Sequence, residues 1–304
     1  MNFATSVHAL TEWSQPVKSF RQVLAEAAEI GFSGIMLMHL PGGPALTAAT
    51  PDPQAAMLDL AQSDLALVRE AVESVGLKVA CVYQGLTKVG NEEEIAATAQ
   101  GLAALARMAE AFGTDIVLPN AGVAPAPRTP LEEKKGLIAA FAQAMTTALA
   151  DVERASRPPA GETPALPVKI APDIHYGGII ETVADCRELF RVAPDSRVGI
   201  TLNIGHMTTL GEQGWRLLEE EEERVHVVAW KDHRVPPPPE ATHPIYSVEL
   251  GTGQSPFAEY ARRLPADGGN RLHLITLEHV PLEEKKGALQ RSLQYMQRLW
   301  EETH

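Results

Sequence analysis

Residues 77–118 read LKVACVYQGLTKVGNEEEIAATAQGLAALARMAEAFGTDIVL. The stretch opens on an apolar run rich in β-branched residues, 77–83, and crosses a short polar turn. It continues as a long segment, 92–112, whose apolar residues recur at helical spacing. A second apolar run, 115–118, follows at once. Strand, helix, strand in this order is the unit of a parallel sheet, because two parallel neighbours need a crossover that carries the chain back to its starting end.

The same unit extends outward in both directions. Upstream, strand-like runs at 3–10 and 34–38 precede helical segments at 17–30 and, after a long Ala- and Pro-rich connection, 61–75. Downstream, a helix is expected at 130–155. Strands follow at 168–171, 198–202, 225–230 and 272–277, each trailed by a helix, at 182–190, 211–222, 256–264 and 281–301. Eight strands alternating with eight helices is the number that closes a parallel sheet on itself around a side-chain-filled interior. The chain's 304 residues exceed the ~250 that such a barrel needs. The expectation is therefore an α/β protein, a single (β/α)8 TIM barrel over residues 1–304, with its active site at the carboxyl ends of the strands. An open doubly wound sheet usually carries a glycine-rich phosphate turn after its first strand, and residues 3–14 contain no glycine.

Composition narrows the class of ligand. Hydrophobic residues make up 45 % and charged residues 21 % of the chain, enough for a large core. The formal net charge of −13, without a cluster of Lys and Arg, argues against a nucleic-acid partner and for a small molecule. Cys81 and Cys186 are too few for a disulfide framework and read as buried free thiols. The sequence shows neither a basic leader followed by an apolar run nor about 18 consecutive apolar residues. The expected location is the cytoplasm, with no membrane partner.

The heptapeptide PLEEKKG occurs twice, at 130–136 and 281–287, each time at an expected helix start. Proline in the first turn and glutamates that complement the helix dipole explain the repeat; duplication of a half-barrel would explain it too. Residues 157–167 and 235–244 read as loops. The second contains the run Pro236 to Pro239 and belongs on the catalytic face, as a semi-rigid wall over the pocket.

The strand ends point into one mouth, where catalytic groups belong. They carry His8, Gln84, Asn120, Asp173 with His175, Asn203 with His206, Lys231 with Asp232 and His233, and Glu278 with His279. Imidazole and oxygen donors crowd the last four ends, a composition suited to a divalent cation. Glu278 closing an apolar strand is hard to explain structurally, since carboxylates are rarely buried unpaired. Lys231 with Asp232 is equally readable as an internal ion pair, and His226, on the other side of its strand, reads as packing.

These residues resemble those of sugar phosphate isomerases/epimerases, xylose isomerase-like barrels that include ketose 3-epimerases. IAPDIH at 170–175 is similar to the family's carboxylate-x-His signature on strand five, and LNIGH at 202–206 to its Asp-x-Gly-His turn. VAWKD at 228–232 resembles His-x-Lys-Asp, LGTG at 250–253 the Leu-Gly-x-Gly loop, and ITLE at 275–278 the last strand ending in Glu. In that family a Glu, an Asp, a His and a last Glu bind one divalent metal such as Mn²⁺, Mg²⁺ or Co²⁺. The resemblance carries those positions to Asp173, Asn203, Ala229 and Glu278, of which only Glu278 is unaltered. His233, on the same alternating face as Ala229, is the expected substitute ligand.

The chemistry implied is proton transfer next to the carbonyl of a ketose or related polyol. Asp173 and Glu278 are the expected acid/base pair, each with a pKa raised toward neutrality. His206, Lys231 and His175 would orient hydroxyls or stabilise the oxyanion, with His8, Gln84 and Asn120 as further substrate contacts. A lyase that eliminates a group β to a keto-sugar carbonyl uses the same first step. A non-catalytic sugar-binding or partner barrel is the reading from a different class. By resemblance, such barrels are often dimers or tetramers.

Overall fold

The computed structural model describes residues 1–11, 18–85, 87–155 and 167–304. Within them the chain runs β1 (Ala4–Ser6), α1 (Phe20–Ile30), β2 (Gly34–His39), α2 (Leu65–Glu73), β3 (Lys78–Gln84), α3 (Glu92–Phe112), β4 (Ile116–Pro119) and α4 (Leu131–Ala155). The second half runs β5 (Lys169–Ile170), α5 (Val183–Val192), β6 (Ile200–Asn203), α6 (Ile204–Leu210), α7 (Arg216–Glu220) and β7 (Val225–Trp230), then β8 (Asp232–His233), β9 (Ser247–Val248), α8 (Phe257–Ala261), β10 (Leu272–Ile275) and α9 (Leu282–Thr303).

Eight of these strands form one parallel sheet in the order β5-β4-β3-β2-β1-β10-β7-β6. Its two edges meet through parallel bridges between Ile170 and Val198 and between Asp173 and Thr201, with Gly199 N donating to Ile170 O at 3.0 Å and Thr201 N to Pro172 O at 2.9 Å. The sheet is thereby closed into the expected (β/α)8 barrel, and Asp173 lies on the closing seam. Helix starts are fixed by their own side chains. Ser19 and Gln22 form a reciprocal cap on α1, Thr182 and Asp185 do so on α5, and Asn91 accepts from Glu94 N on α3.

Local differences from the sequence reading have local causes. The run 3–10 is a strand only to Ser6 and then tightens into a 3-10 turn, Val7–Leu10, which turns His8 toward the barrel mouth. The helix expected at 211–222 is the short α7, and α6 forms directly after Asn203, ending at Gly211 in the left-handed region. After β7 the chain makes a small antiparallel pair, β8 with β9, that flanks the proline-rich loop. Most of the expected loop at 157–167 lies outside the described residues, as does Val17 at the expected start of the first helix.

Both PLEEKKG copies begin helices, α4 and α9, and each delivers one lysine into the interior. Lys134 is fully buried, with Nζ 2.5 Å from Asp185 Oδ2 and 3.6 Å from Glu181 Oε2. The Glu181 carboxylate also accepts from Arg128 N and Gly177 N, fastening the loops after β4 and β5 together. Lys285 is 2 % exposed and donates to Thr11 O at 2.5 Å. Cys81 and Cys186 are buried free thiols.

Candidate active site

Inward-facing side chains converge beyond the carboxyl ends of the strands on a cavity of about 80 Å³. Side chains alternate along a strand, so each strand offers every second residue. The register Met36–Cys81, Met38–Tyr83, His39–Gln84 places the methionines and Tyr83 inside. β6 presents Thr201 and Asn203, β7 presents Ala229 and then Lys231 beyond its end, and β10 leads from Leu274 through Thr276 to Glu278. Asp173, His175 and His8 complete the polar wall. Ligand pockets usually measure ~300–1,000 Å³, so this cavity is a small one.

Two carboxylates face this space in opposite electrostatic states. Burial pushes the Asp173 carboxyl above the ordinary carboxylate range, against the pull of His175, Lys231 and the Asn203 amide. Asn203 Nδ2 donates to Asp173 Oδ1 at 3.0 Å. Burial opposes ionisation of Glu278 as well, but the Lys231 ammonium and His8 outweigh it and hold this carboxyl well below its usual value. Lys231 Nζ lies 2.6 Å from Glu278 Oε1 and His8 Nε2 3.6 Å from the same oxygen. The expectation that both carboxyls are raised toward neutrality is thus met by Asp173 and reversed at Glu278, because a buried ammonium sits against it. His8 itself is lowered, chiefly by burial, and its Nδ1 lies 3.1 Å from Met38 Sδ.

Behind the wall stands a column of imidazoles. His175 Nδ1 donates to Tyr176 O at 3.0 Å, which leaves Nε2 as the basic nitrogen, and the following amide, Tyr176 N, donates to His206 Nδ1 at 3.1 Å. The His175 and His206 ring centres are 4.0 Å apart, and His233 follows 5.0 Å beyond His206. Burial lowers His206 well below the ordinary imidazole value and pushes His233 down to about 3. A Cβ on Gly205 would stand 2.7 Å from the His233 ring, so only glycine lets α6 pass this close.

Of the expected site residues, Asp173, His175, Asn203, Lys231, Glu278 and His8 line the cavity together. His206 does not line it: fully buried behind His175, it can position that ring but not touch a ligand. His233 is displaced further, with Nδ1 2.7 Å from Thr209 Oγ1. The alternation that pointed it inward stops at Trp230, and the β8–β9 pair takes the chain in a new direction. Gln84 faces α3, in a separate depression with Thr98 and Gly101. Asn120 accepts from Gly122 N at 3.0 Å and bonds the Tyr83 hydroxyl. Asp232 forms no pair with Lys231. It accepts from Gly251 N, Gly253 N and Ser255 N and so holds the LGTG loop. His279 stacks on Tyr246 and accepts from Ser247 N, supporting β9. The proline run does not line the cavity, although His243 of the same loop meets Tyr176 edge-on at 6.0 Å. Sequence reasoning missed Tyr83, Met36, Met38, Thr201 and Thr276; the strand parity that excludes Gln84 would have found Tyr83.

The donor set does not fit a divalent metal. Ala229 has no ligating atom, Asn203 offers a neutral carboxamide oxygen without the charge of a carboxylate, and Glu278 is engaged by an ammonium. Among the described residues no group of three or more His, Cys, Asp or Glu side chains is placed to hold an ion.

A model of the xylose isomerase-like TIM barrel family matches residues 24–299. The IolI protein, solved with a bound zinc atom, superposes with a TM-score of 0.69 at 14 % identity, covering 100 % of this chain and 99 % of that one. D-allulose 3-epimerase from Methylomonas sp., in complex with D-allulose, gives 0.67 at 14 % identity over 98 % of this chain and 96 % of its own. The probable 3-DHS dehydratase AsbF from Bacillus anthracis gives 0.68 at 14 % identity over 98 % and 99 %. No curated protein matches the sequence significantly.

Proposed function

This chain belongs to the xylose isomerase-like TIM barrel family, and from that premise we propose that it is a carbohydrate isomerase or epimerase that moves a proton on the carbon beside a carbonyl. The observation that carries this reading is the pair of carboxyls in one cavity with pKa values driven apart, Asp173 up and Glu278 down. Divergent pairs of this kind mark acid/base assignments. Asp173, raised toward the operating range, exchanges the substrate proton, while Glu278 stays ionised against Lys231. His175, with Nε2 as its basic nitrogen, serves a substrate hydroxyl, and Met38 and Tyr83 shape the opposite wall. The metal dependence implied by family resemblance is not part of this proposal, because the donors do not fit.

A lyase is the second reading. It shares the first proton abstraction, and the likeness to a probable dehydratase keeps it in view. Incubating the purified protein with a panel of ketoses and 3-keto-sugars in deuterated water tests both. Deuterium entering the carbon beside the carbonyl, with a new stereoisomer or aldose, marks the isomerase or epimerase; formation of a conjugated enone marks the lyase. A protein that binds a sugar but exchanges no proton is the non-catalytic barrel, and the proposal falls.

A further inference from the structure

We infer that this barrel carries its own cation, the Lys231 ammonium, in place of a divalent metal at the substrate oxygen. The inference rests on the proton-transfer reading above and adds how the developing oxyanion is met.

Three observations converge. First, Lys231 is 4 % exposed yet lines the cavity, so its charge is spent inside the site rather than in solvent. A lysine is seldom buried this far without a partner, and its partner is Glu278 at 2.6 Å. A pair of this kind adds little net stability over apolar residues of the same size, so stability alone is a weak reason to keep it. Second, Lys231 stands two residues beyond Ala229 on the same inward face, and Ala229 is the position that offers no ligand. Third, Asn203 brings a neutral carboxamide to the cavity, and its Nδ2 donates to Asp173 Oδ1 at 3.0 Å. The site therefore holds two carboxyls and one fixed ammonium. His8, the other nitrogen base on Glu278, stands farther off, with Nε2 3.6 Å from Oε1. Among the described residues that line the cavity, Lys231 is the one lysine or arginine.

The step balances without a co-reactant. The Asp173 carboxylate takes the proton from the carbon beside the carbonyl. The C–H electron pair becomes the carbon–carbon double bond of an enediolate, and the carbonyl oxygen receives the negative charge. That oxygen accepts a hydrogen bond from the Lys231 ammonium, whose charge needs no reorganisation as the anion forms. Reprotonation of the same carbon on its opposite face, by water, gives the epimer; delivery of the Asp173 proton to the former carbonyl carbon, with the neighbouring hydroxyl proton passing to the former carbonyl oxygen, gives the isomer.

Metal binding and turnover test this separately. The protein, purified and dialysed against EDTA, is analysed for metal and titrated calorimetrically with MnCl₂, CoCl₂ and ZnCl₂. Lys231→Met and Lys231→Arg are treated alike, and deuterium exchange is followed with and without chelator. Wild type should bind none of the three ions stoichiometrically and lose no exchange to EDTA. Lys231→Met should bind Mn²⁺ roughly tenfold or more tightly than wild type, because removing the ammonium leaves the carboxyls to attract another cation. Its exchange should fall by ~10²–10³, the loss expected for removing one oxyanion donor. Lys231→Arg, which keeps the charge, should stay indifferent to metal. The inference is overturned by stoichiometric metal in wild type, by exchange that EDTA abolishes and Mn²⁺ restores, or by a folded Lys231→Met no better at binding Mn²⁺. Should Lys231→Met not fold, the wild-type metal and chelator results decide. Should no sugar in the panel exchange, the proton-transfer reading fails on that result, while the titrations still judge the cation.

Discussion

The two halves of the barrel mouth are made of different materials. From β1 to β4 the cavity receives Met36, Met38, Tyr83 and Leu118, with His8 at the join; from β5 to β10 it receives Asp173, His175, Asn203, Lys231 and Glu278. One half is a low-dielectric wall and the other a charged one. The difference explains the electrostatics of both. Charges facing an apolar wall lose hydration, which raises Asp173 and lowers His8, and the same loss strengthens the attraction between Lys231 and Glu278. The halves touch where His8 Nε2 comes within 3.6 Å of Glu278 Oε1.

The largest expected effects fall on the charged half. Asp173→Asn should reduce proton exchange by ~10²–10⁴, the scale of a lost acid/base group, and should not destabilise the fold at neutral pH. The folded carboxyl is raised above its unfolded value, so Asp173 favours the folded state only when protonated and disfavours it as pH climbs through the folded pKa. Thermal melts across pH 4–8 should therefore show the variant gaining on wild type toward the alkaline end. Glu278→Gln should lower exchange by less, since Glu278 holds the Lys231 ammonium in place rather than moving the proton, and it carries the opposite sign in stability. Its folded pKa is depressed, so the stability it contributes is present above the unfolded value of ~4.3 and is lost as pH falls through the folded one. With the Glu278 side chain 26 % exposed, breaking the pair should cost no more than about 3 kcal/mol, the low end for buried pairs. Identical melting behaviour of the two variants would break the distinction drawn between the carboxyls.

The charged half was largely legible in the sequence and the apolar half was not, for physical reasons. Asp173, His175, Asn203, Lys231 and Glu278 are polar residues at the ends of apolar runs, where burial alone cannot account for them. Tyr83 and Met38 look like any core residue, and only the β2–β3 register, with its shift between Ile35 and Met36, settles that they point inward and Gln84 outward. His233 failed because a period of two was extended past the end of β7. The Lys231–Glu278 pair spans 47 residues, and His8 reaches Glu278 only through closure of the barrel, so the depressed Glu278 pKa had no local signal. The eight βα units, by contrast, were legible because each is specified within its own segment by periodicity and helix caps.

The smallest expected effect tests the apolar half. Tyr83→Phe keeps the ring that fills the wall and removes the hydroxyl that bonds Asn120. Burial raises the Tyr83 pKa, so the phenol stays neutral and acts by shape and a single hydrogen bond. A neutral hydrogen bond contributes ~0.5–1.5 kcal/mol, which corresponds to roughly two- to tenfold. That bond is internal to the protein, so its loss should shift the folding equilibrium by that small factor in a thermal melt, while KM and kcat both stay close to wild type. Steady-state kinetics on the ketose that shows the fastest deuterium exchange would measure both. A fall in kcat of a hundredfold or more with KM unchanged would place Tyr83 among the groups that move the proton, and the division of the mouth into a chemical half and a shaping half would not survive it.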